Sequence, residues 1–308
     1  MLDVVITWVD GADPAHAAKR AAHARGATAS PESTAGTRFA SSGELRFAVL
    51  SVLRFLPDAR RIHVVTDDQH PHPIDDLLVD QSDRINVVSH RTIYGAHADL
   101  LPVFSSRSIE TMLHRIPGLA ERFVYLNDDM SVARHATAGT YFDGDRPILR
   151  GTMRRFPHPL AARIKGALGR ARPGYGAAQR AAARLAGRRG TYLLMEHQPC
   201  PMRRDTLAGF YADDPEALRR QAGHRFRSAD QVSPLGLAAH LELDRGARVA
   251  PPEDLGYVRP GRPSGVALQR TMDRLQDGAF ASFCAQSLDA MPEEDRRIVL
   301  DGLARRYG

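Results

Sequence analysis

Two adjacent aspartates, Asp128 and Asp129, follow Asn127 at the end of an uncharged apolar run, 123–126, which is rich in β-branched and aromatic residues. Such a run suits a strand that is buried on both faces of a parallel sheet. Ionised carboxylates are too costly to bury unpaired, so this pair must lie where the strand emerges. Ligands bind at the carboxyl ends of strands in open α/β sheets, where a diacid could hold Mg²⁺ and the phosphates that it neutralises. A plain turn explains the same residues, since Asn and Asp are ordinary in turns.

Acidic residues end two earlier apolar runs in the same way. A predicted strand over residues 2–9 stops at Asp10-Gly11, and another over residues 61–66 stops at Asp67-Asp68. Turn chemistry accounts for some of these acids, but their recurrence at three strand ends favours a site for a metal ion and phosphates. We assign Asp10 and Gly11 to nucleotide binding, because the turn after the first strand often meets the nucleotide in Rossmann-like sheets.

The elements around these acids alternate between strands and helices. Further strands are predicted over residues 84–89 and 122–126, with helices over residues 44–56 and 105–114. Ser41 and Glu44 have the spacing of a capping box, which would explain Glu44 structurally as the N3 partner of Ser41. The pattern predicts an α/β fold with a Rossmann-like (GT-A-like), mostly parallel sheet flanked by helices.

The chain divides into three predicted parts. Residues 1–149 form the Rossmann-like part that binds donor and metal, residues 150–190 form a basic helical insertion or lid rich in Arg and Ala, and residues 191–308 complete the catalytic domain with C-terminal helices. The final helix, over residues 289–307, has acidic residues at its start and basic residues at its end, as the helix dipole favours.

Composition limits the class of protein. The chain has 308 residues, 43% of them hydrophobic and 25% charged, with only two cysteines. We expect one or two domains without a disulfide framework or a four-cysteine metal site, in the reducing cytoplasm. The apolar runs are too short to span a bilayer, and the first strand begins too early for a signal peptide.

The positive charge of the chain is local. Residues 146–195 contain 12 Arg and Lys and no acidic residue, which leaves the rest of the chain at 6 − 12 = −6. This segment is either a solvated surface or an electrostatic surface for an anionic acceptor, a nucleotide's phosphates or the inner membrane face. It lacks the interleaved aromatic residues of a nucleic-acid site, so we expect no specific nucleic-acid partner.

The ordered blocks resemble the Stealth family of hexose-1-phosphate transferases. The first conserved region is similar to residues 3–11. The second is similar to residues 38–39, 43–47, 62–67, 101–106, 109–110, 114–119 and 122–130. The match covers roughly the first 130 residues and is far more specific than a lone short motif.

The later regions match more loosely. A third region resembles the chain at His197-Gln198-Pro199 and at residues 226–230, and a fourth is only similar to residues 283–286. In the second region Asp68 stands where the family usually has Gly. These departures leave acceptor choice and the exact ligands of the later regions open.

The resemblance implies transfer of a sugar 1-phosphate from a UDP- or GDP-sugar to a hydroxyl of a glycan or lipid-linked glycan, with release of a nucleoside monophosphate. Asp128 and Asp129 would hold a divalent ion, Mg²⁺ or else Mn²⁺ or Ca²⁺, and His197 or Glu44 would take the acceptor's proton. The other residues assigned to catalysis or to the donor are Asp10, Gly11, Arg46, Asp67, Asn127, Arg225, Arg227 and Asp230. Arginine suits bidentate contact with phosphate, and Asp230 would orient an arginine or a ligand.

Two other functions stay open from the sequence. An ordinary glycosyltransferase with the same donor would release a nucleoside diphosphate instead. A non-catalytic protein that binds anions or nucleic acid through the basic segment is the alternative from another class. Peripheral contact with the membrane surface and a homo-oligomer are also compatible with the sequence.

Overall fold

The computed structural model describes residues 1–24, 43–157 and 174–308. The strands are β1 (Leu2–Thr7), β2 (Ala59–Thr66), β3 (Ile85–Ser89), β4 (Arg122–Asn127), β5 (Met130–Val132), β6 (Phe142–Asp143), β7 (Arg146–Arg155), β8 (Thr191–Met195), β9 (Cys200–Arg203), β10 (Arg248–Ala250), β11 (Leu255–Val258) and β12 (Ser282–Ala285). The α-helices are α1 (Pro14–Ala24), α2 (Glu44–Phe55), α3 (Asp75–Asp80), α4 (His90–Tyr94), α5 (Ser106–Met112), α6 (Ala138–Tyr141), α7 (Tyr175–Leu185), α8 (Arg204–Ala212), α9 (Pro215–Ala222), α10 (Pro234–Asp244), α11 (Gly265–Gln276) and α12 (Glu293–Tyr307).

The main sheet has the strand order β3-β2-β1-β4-β9. The first four strands are parallel, and β9 joins the edge of β4 in the antiparallel direction. Its carboxyl edge therefore gathers the ends of β1, β2 and β4, where the sequence places its acids. The predicted α/β class and the mostly parallel sheet are confirmed.

Both faces of the central strands are buried, which explains their uninterrupted apolar sequences. On one face Val4 and Ile6 pack with α2, whose Leu45 and Val52 lie in the same core cluster. On the other face Val5 packs in a core that contains residues of α5 and α10. Alternate residues of each strand thus enter different cores, as the two-residue period of a strand requires.

Two smaller sheets complete the chain. In the first, β7 lies between β10 and β6, and the C-terminal half of β7 pairs with β8. β11, β12 and β5 form a three-stranded sheet in which Cys284 is paired with Met130. This second pairing joins the C-terminal part to the turn that contains Asp128 and Asp129.

Several local predictions are wrong. Gly43, with φ 89°, is the N-cap of α2, so Glu44 is the first residue of the helix and not the N3 partner of a cap; Ser41 lies outside the described residues. Residues 150–155 are the end of β7 rather than part of a helix, because their pairing with β8 supplies the order that their polar sequence does not indicate. The predicted boundary after residue 149 falls inside this strand. Residues 158–173 of the predicted insertion lie outside the described residues.

The C-terminal part has helices α8 to α12, as expected, but also strands β9 to β12. These strands are only three or four residues long, which is too short for a periodic signal. Among the described residues, no helix combines the length and apolarity needed to cross a membrane.

A buried carboxylate holds the amino end of the main sheet. Asp3 accepts hydrogen bonds from Arg60 Nε and Nη2 at 2.9 and 2.7 Å and from the backbone N–H of Ala120 at 2.8 Å. His63 Nε2 lies 3.3 Å from the same carboxylate. Burial alone would raise the pKa of Asp3, but these contacts outweigh it and hold that pKa well below its usual range.

We expect Asp3→Asn to lower the free energy of unfolding by about 2–3 kcal/mol at neutral pH, since it leaves this buried network incompletely paired. A lowered carboxyl pKa contributes stability that is fully present above the unfolded value of about 4 and is lost as the pH falls through the folded value. The difference in free energy of unfolding between the wild type and Asp3→Asn, measured by urea unfolding, should therefore decrease in acid. Asp76→Asn, which removes an exposed pair with Arg46, is the control and should change stability little; an equal loss there would contradict this account.

Candidate active site

A cavity of about 320 Å³ opens beside the carboxyl edge of the main sheet. Asn127 reaches it from the end of β4, and His197 from the segment between β8 and β9. Arg227 reaches it from the loop before α10, and Arg107 and Glu110 reach it from α5. Residues far apart in the sequence thus converge where open α/β sheets bind their ligands.

The turn between β4 and β5 carries Asp128 and Asp129, so the turn interpretation of these residues is correct. Asp129 also belongs to a cluster of possible metal ligands. Its Oδ2 lies 3.7 Å from His197 Nε2 and accepts a hydrogen bond from Cys284 Sγ at 3.6 Å. Ligand atoms of these three residues lie within 4.8 Å of one another. A carboxylate from this turn, the imidazole of His197 and the thiol of Cys284 therefore meet at one point.

Asp128 points to a second, much smaller cavity that Glu44 and Asp129 also line. Burial, and after it the carboxyl groups of Asp129 and Glu44, raises the pKa of Asp128 well above its usual range. Burial also raises the pKa of the Cys284 thiol, and the nearby Asp129 adds to this effect. Carboxyl groups that raise one another's pKa in this way are an environment that a divalent ion would stabilise.

A further observation at this site also fits a divalent ion. Asp129 Oδ1 is shielded from water and has no hydrogen-bond partner among the described residues. A buried carboxylate oxygen without a donor is costly, and coordination to a metal is one way in which proteins satisfy it. Asp128 and Asp129 supply the oxygen ligands that Mg²⁺, Mn²⁺ and Ca²⁺ share, whereas the imidazole and thiol beside them suit softer ions.

Two arginines give the cavity a basic wall. Arg107 donates from Nη1 to the carbonyl oxygens of Ser228 and Gln231, at 3.5 and 3.3 Å. Arg227 donates from Nη2 to Ser106 Oγ at 2.7 Å. These bonds fix each side chain on the cavity wall, and a guanidinium is a group that suits contact with an anion.

Glu110 is a site residue that the sequence analysis did not single out. Its carboxyl group is buried on the cavity wall, and Tyr125 Oη donates to it at 3.5 Å. Burial raises the pKa of Glu110, although the charges of Arg227 and Arg107 act in the opposite direction. Tyr125 also donates to Asn127 at 2.6 Å. The available signals were the place of Glu110 in the block of residues 109–110 that resembles the family's second region and its position on α5, one turn from Arg107.

The structure does not bring every predicted residue to this cavity. Arg46 makes a bidentate pair with Asp76 at 2.6 and 2.9 Å. Asp67 is buried beside Lys19, His16 and His90. Burial would raise the pKa of Asp67, but the contacts with His90 and Lys19 hold it well below its usual range.

The remaining predicted residues also lie away from the cavity lining. The backbone of Asp10 exchanges hydrogen bonds with the Gln69 side chain at 3.0 and 2.8 Å, and Gly11 follows in the same turn. Arg225 and Asp230 are exposed on the segment that carries Arg227. Donor binding by these residues stays a prediction.

Two family models match the chain. Stealth protein CR1, conserved region 1, matches residues 2–23, and Stealth protein CR2, conserved region 2, matches residues 38–148. The second match contains α2, α5 and the turn with Asp128 and Asp129. It therefore includes several of the residues that build the site.

Curated relatives extend the likeness along nearly the whole chain. An exopolysaccharide phosphotransferase of Streptomyces coelicolor is 36% identical over 99% of this chain and 55% of its own length. An exopolysaccharide phosphotransferase of Mycobacterium tuberculosis is 30% identical over 99% of this chain and 56% of its own. A capsular polysaccharide phosphotransferase of Actinobacillus pleuropneumoniae is 37% identical over 47% of this chain and 39% of its own. The chain thus spans about half the length of the relatives that it matches.

Among solved structures, a galactosyltransferase in complex with donor and acceptor sugar analogues aligns with 99% of this chain and 96% of its own, at 10% identity and a TM-score of 0.46. That likeness is too low to carry a conclusion about function. The chain thus contains two conserved regions of the Stealth family and matches polysaccharide phosphotransferases along nearly its whole length, which confirms the resemblance to this family.

Proposed function

We propose that the chain transfers a sugar 1-phosphate from a nucleotide sugar to a hydroxyl group of a glycan or glycolipid. The acceptor oxygen attacks the phosphorus that bears the sugar, and the bond from this phosphorus to the oxygen of the nucleotide's own phosphate breaks. A phosphodiester forms, a nucleoside monophosphate leaves, and the proton of the hydroxyl passes to a base. The main support is the convergence of Asp129, His197, Arg107 and Arg227 at one cavity edge, in a chain whose relatives are named polysaccharide phosphotransferases.

We assign the base to His197 rather than to Glu44, because only His197 lines the large cavity. Its imidazole can accept the proton of the acceptor hydroxyl at a pH near neutral. The carboxylate of Asp129 at 3.7 Å favours the imidazolium that this proton transfer produces. Cys284, whose thiol stays protonated, orients Asp129 by donating to the same oxygen.

Arg107 and Arg227 meet the charge that builds on the phosphate oxygens during attack. Both are held by hydrogen bonds, so they need little reorganisation when that charge develops. The charges of Arg227 and Arg107 both act on Glu110, so its carboxyl group would help to orient the two guanidinium groups. Asn127, held by Tyr125, adds a polar group at the end of β4.

Asp128 and Asp129 would hold the divalent ion, with Asp129 Oδ1 as the first ligand. When bound, Mg²⁺ neutralises the phosphates of the donor and polarises them toward attack. The oxygen ligands make Mg²⁺ our first choice, and Mn²⁺ our second because an imidazole lies beside them.

The nucleotide that is released tests this reaction. The protein is incubated with a panel of UDP- and GDP-sugars, glycan acceptors and Mg²⁺, Mn²⁺ or Ca²⁺, and the nucleotide product is identified by mass spectrometry. We expect a nucleoside monophosphate that forms only with a divalent ion. Release of a nucleoside diphosphate would instead establish a glycosyltransferase, in which attack occurs at the sugar carbon.

A further inference from the structure

Part of the cavity wall comes from β7 and α7, which contribute none of the residues used above. Arg150 of β7 and Tyr175 of α7 both line the cavity. They lie on the segment whose basic composition the sequence leaves without a role. Their surroundings indicate what they could bind.

The guanidinium group of Arg150 is held in place by its contacts, and some of its N–H groups have no acceptor among the described residues. Its side chain is only 10% exposed, and Nη2 contacts both Glu253 Oε1 and the carbonyl oxygen of Thr140 at 2.5 Å. Its Nε and Nη1 are shielded from water and have no acceptor in the described part of the chain. Buried N–H groups without an acceptor are costly, and the guanidinium that carries them lies on the cavity wall, so its positive charge suits an anion that enters the cavity.

Tyr175 places an aromatic ring beside the proposed base. Its side chain is 43% exposed, and its ring meets the edge of the His197 imidazole with the centroids 6.0 Å apart. Tyr175 Oη donates to the carbonyl oxygen of Glu196 at 3.4 Å, which anchors the phenol end. An exposed ring in a cavity offers an apolar face against which the C–H face of a sugar can pack.

We propose that Tyr175 and Arg150 form an acceptor subsite for a sugar that carries a negative charge. This inference rests on the proposed function. The sugar packs on Tyr175, which brings a hydroxyl group to His197, while its anionic group faces the guanidinium of Arg150. Because each transfer creates a phosphodiester, a product of the reaction has the charge that this subsite recognises.

The C-terminal half of β7 carries a further arginine beyond Arg150. Arg154 projects to the same side of the strand as Arg150, four residues on, which corresponds to about 13 Å. It is exposed, and no ion pair of Arg154 occurs among the described residues. A second negative charge further along an acceptor chain would reach Arg154.

The test compares binding of three fluorescent dextran oligosaccharides of equal length: unmodified, carboxymethylated and phosphorylated. Wild-type protein should prefer both anionic forms to the neutral one. Arg150→Gln should lower affinity for the anionic forms by about tenfold or more and leave the neutral form unchanged. Arg146→Gln, an exposed arginine at the other end of β7, is the matched control and should bind like wild type.

Arg154→Gln is a second test in case Arg150→Gln does not fold, because it replaces an exposed side chain. We expect it to lower the affinity for the anionic forms about threefold. A wild-type protein without preference for the anionic forms, or an equal loss in Arg146→Gln, overturns the subsite. If Arg150→Gln does not fold, unchanged binding by Arg154→Gln overturns it as well. Release of a nucleoside diphosphate would refute the proposed reaction while leaving the binding result intact, so the two failures are distinguishable.

Discussion

Asp129→Asn should lower kcat by about a thousandfold or more, the largest loss that we expect from a single substitution. The change keeps the size of the side chain but removes the negative charge that would hold the cation and favour a protonated His197. The affected oxygen, Oδ1, has no other partner among the described residues. Near-ultraviolet circular dichroism and thermal unfolding should match those of the wild type, because the residue lies in a turn.

Asp68→Asn is the matched control for this substitution. Asp68 is also the second aspartate of a pair at a strand end, but it contacts Ser89 and Arg91 instead of the cavity. Its φ of 57° is a conformation that asparagine adopts readily. We expect full turnover from Asp68→Asn. Equal activity of both variants would remove Asp129 from the reaction.

His197→Ala should lower kcat by roughly a hundred- to ten-thousandfold, the usual contribution of a positioned general base. The imidazole lines the cavity and lies beside both Asp129 and Tyr175, so its loss removes the proton acceptor nearest to the proposed acceptor subsite. Rates are to be measured at saturating donor and acceptor.

His135→Ala replaces an exposed histidine away from this cavity and should retain wild-type turnover. A His197→Ala protein that keeps kcat and shows only a raised KM would assign His197 to binding. In that case a different group on the cavity wall, such as Glu110, must take the proton.

The central sheet was predictable because local sequence and global burial agree there. In β4, Phe123 and Tyr125 enter one core while Val124 and Leu126 enter the other, so the run has no polar position to obscure it. The residues that follow this run had to be polar, because the chain leaves the core there. The strand ends could therefore be placed from the sequence, and with them Asp128 and Asp129.

The site could be predicted only in part, because it is assembled by long-range pairing. Antiparallel pairing of β12 with β5 places Cys284 beside Asp129, and the pairing of β9 with β4 places His197 nearby. Nothing in the short sequences of β9 and β12 indicates these partners. The family resemblance drew attention to His197, whereas Glu110 and Arg150 needed the structure.

Acids at strand ends were a less specific signal than they first seemed. Asp67 is engaged by Lys19, His16 and His90, and Asp68 by Ser89 and Arg91, so these two hold the second strand end together. Among the described residues, the one group of carboxylate, imidazole and thiol that could hold a metal ion lies at the turn after β4. Spacing along the sequence cannot separate these cases, since both have the same pair of aspartates.

The fate of the phosphorus atom that bears the sugar tests the proposed reaction most directly. A nucleotide sugar labelled with radioactive phosphorus only at that atom is incubated with the protein, a divalent ion and a glycan acceptor, and the products are separated. We predict that the label moves into the glycan, in a phosphodiester that phosphatase does not release, and that the nucleoside monophosphate is unlabelled. Label that stays in a released nucleoside diphosphate, with an unlabelled glycan, would contradict the proposal.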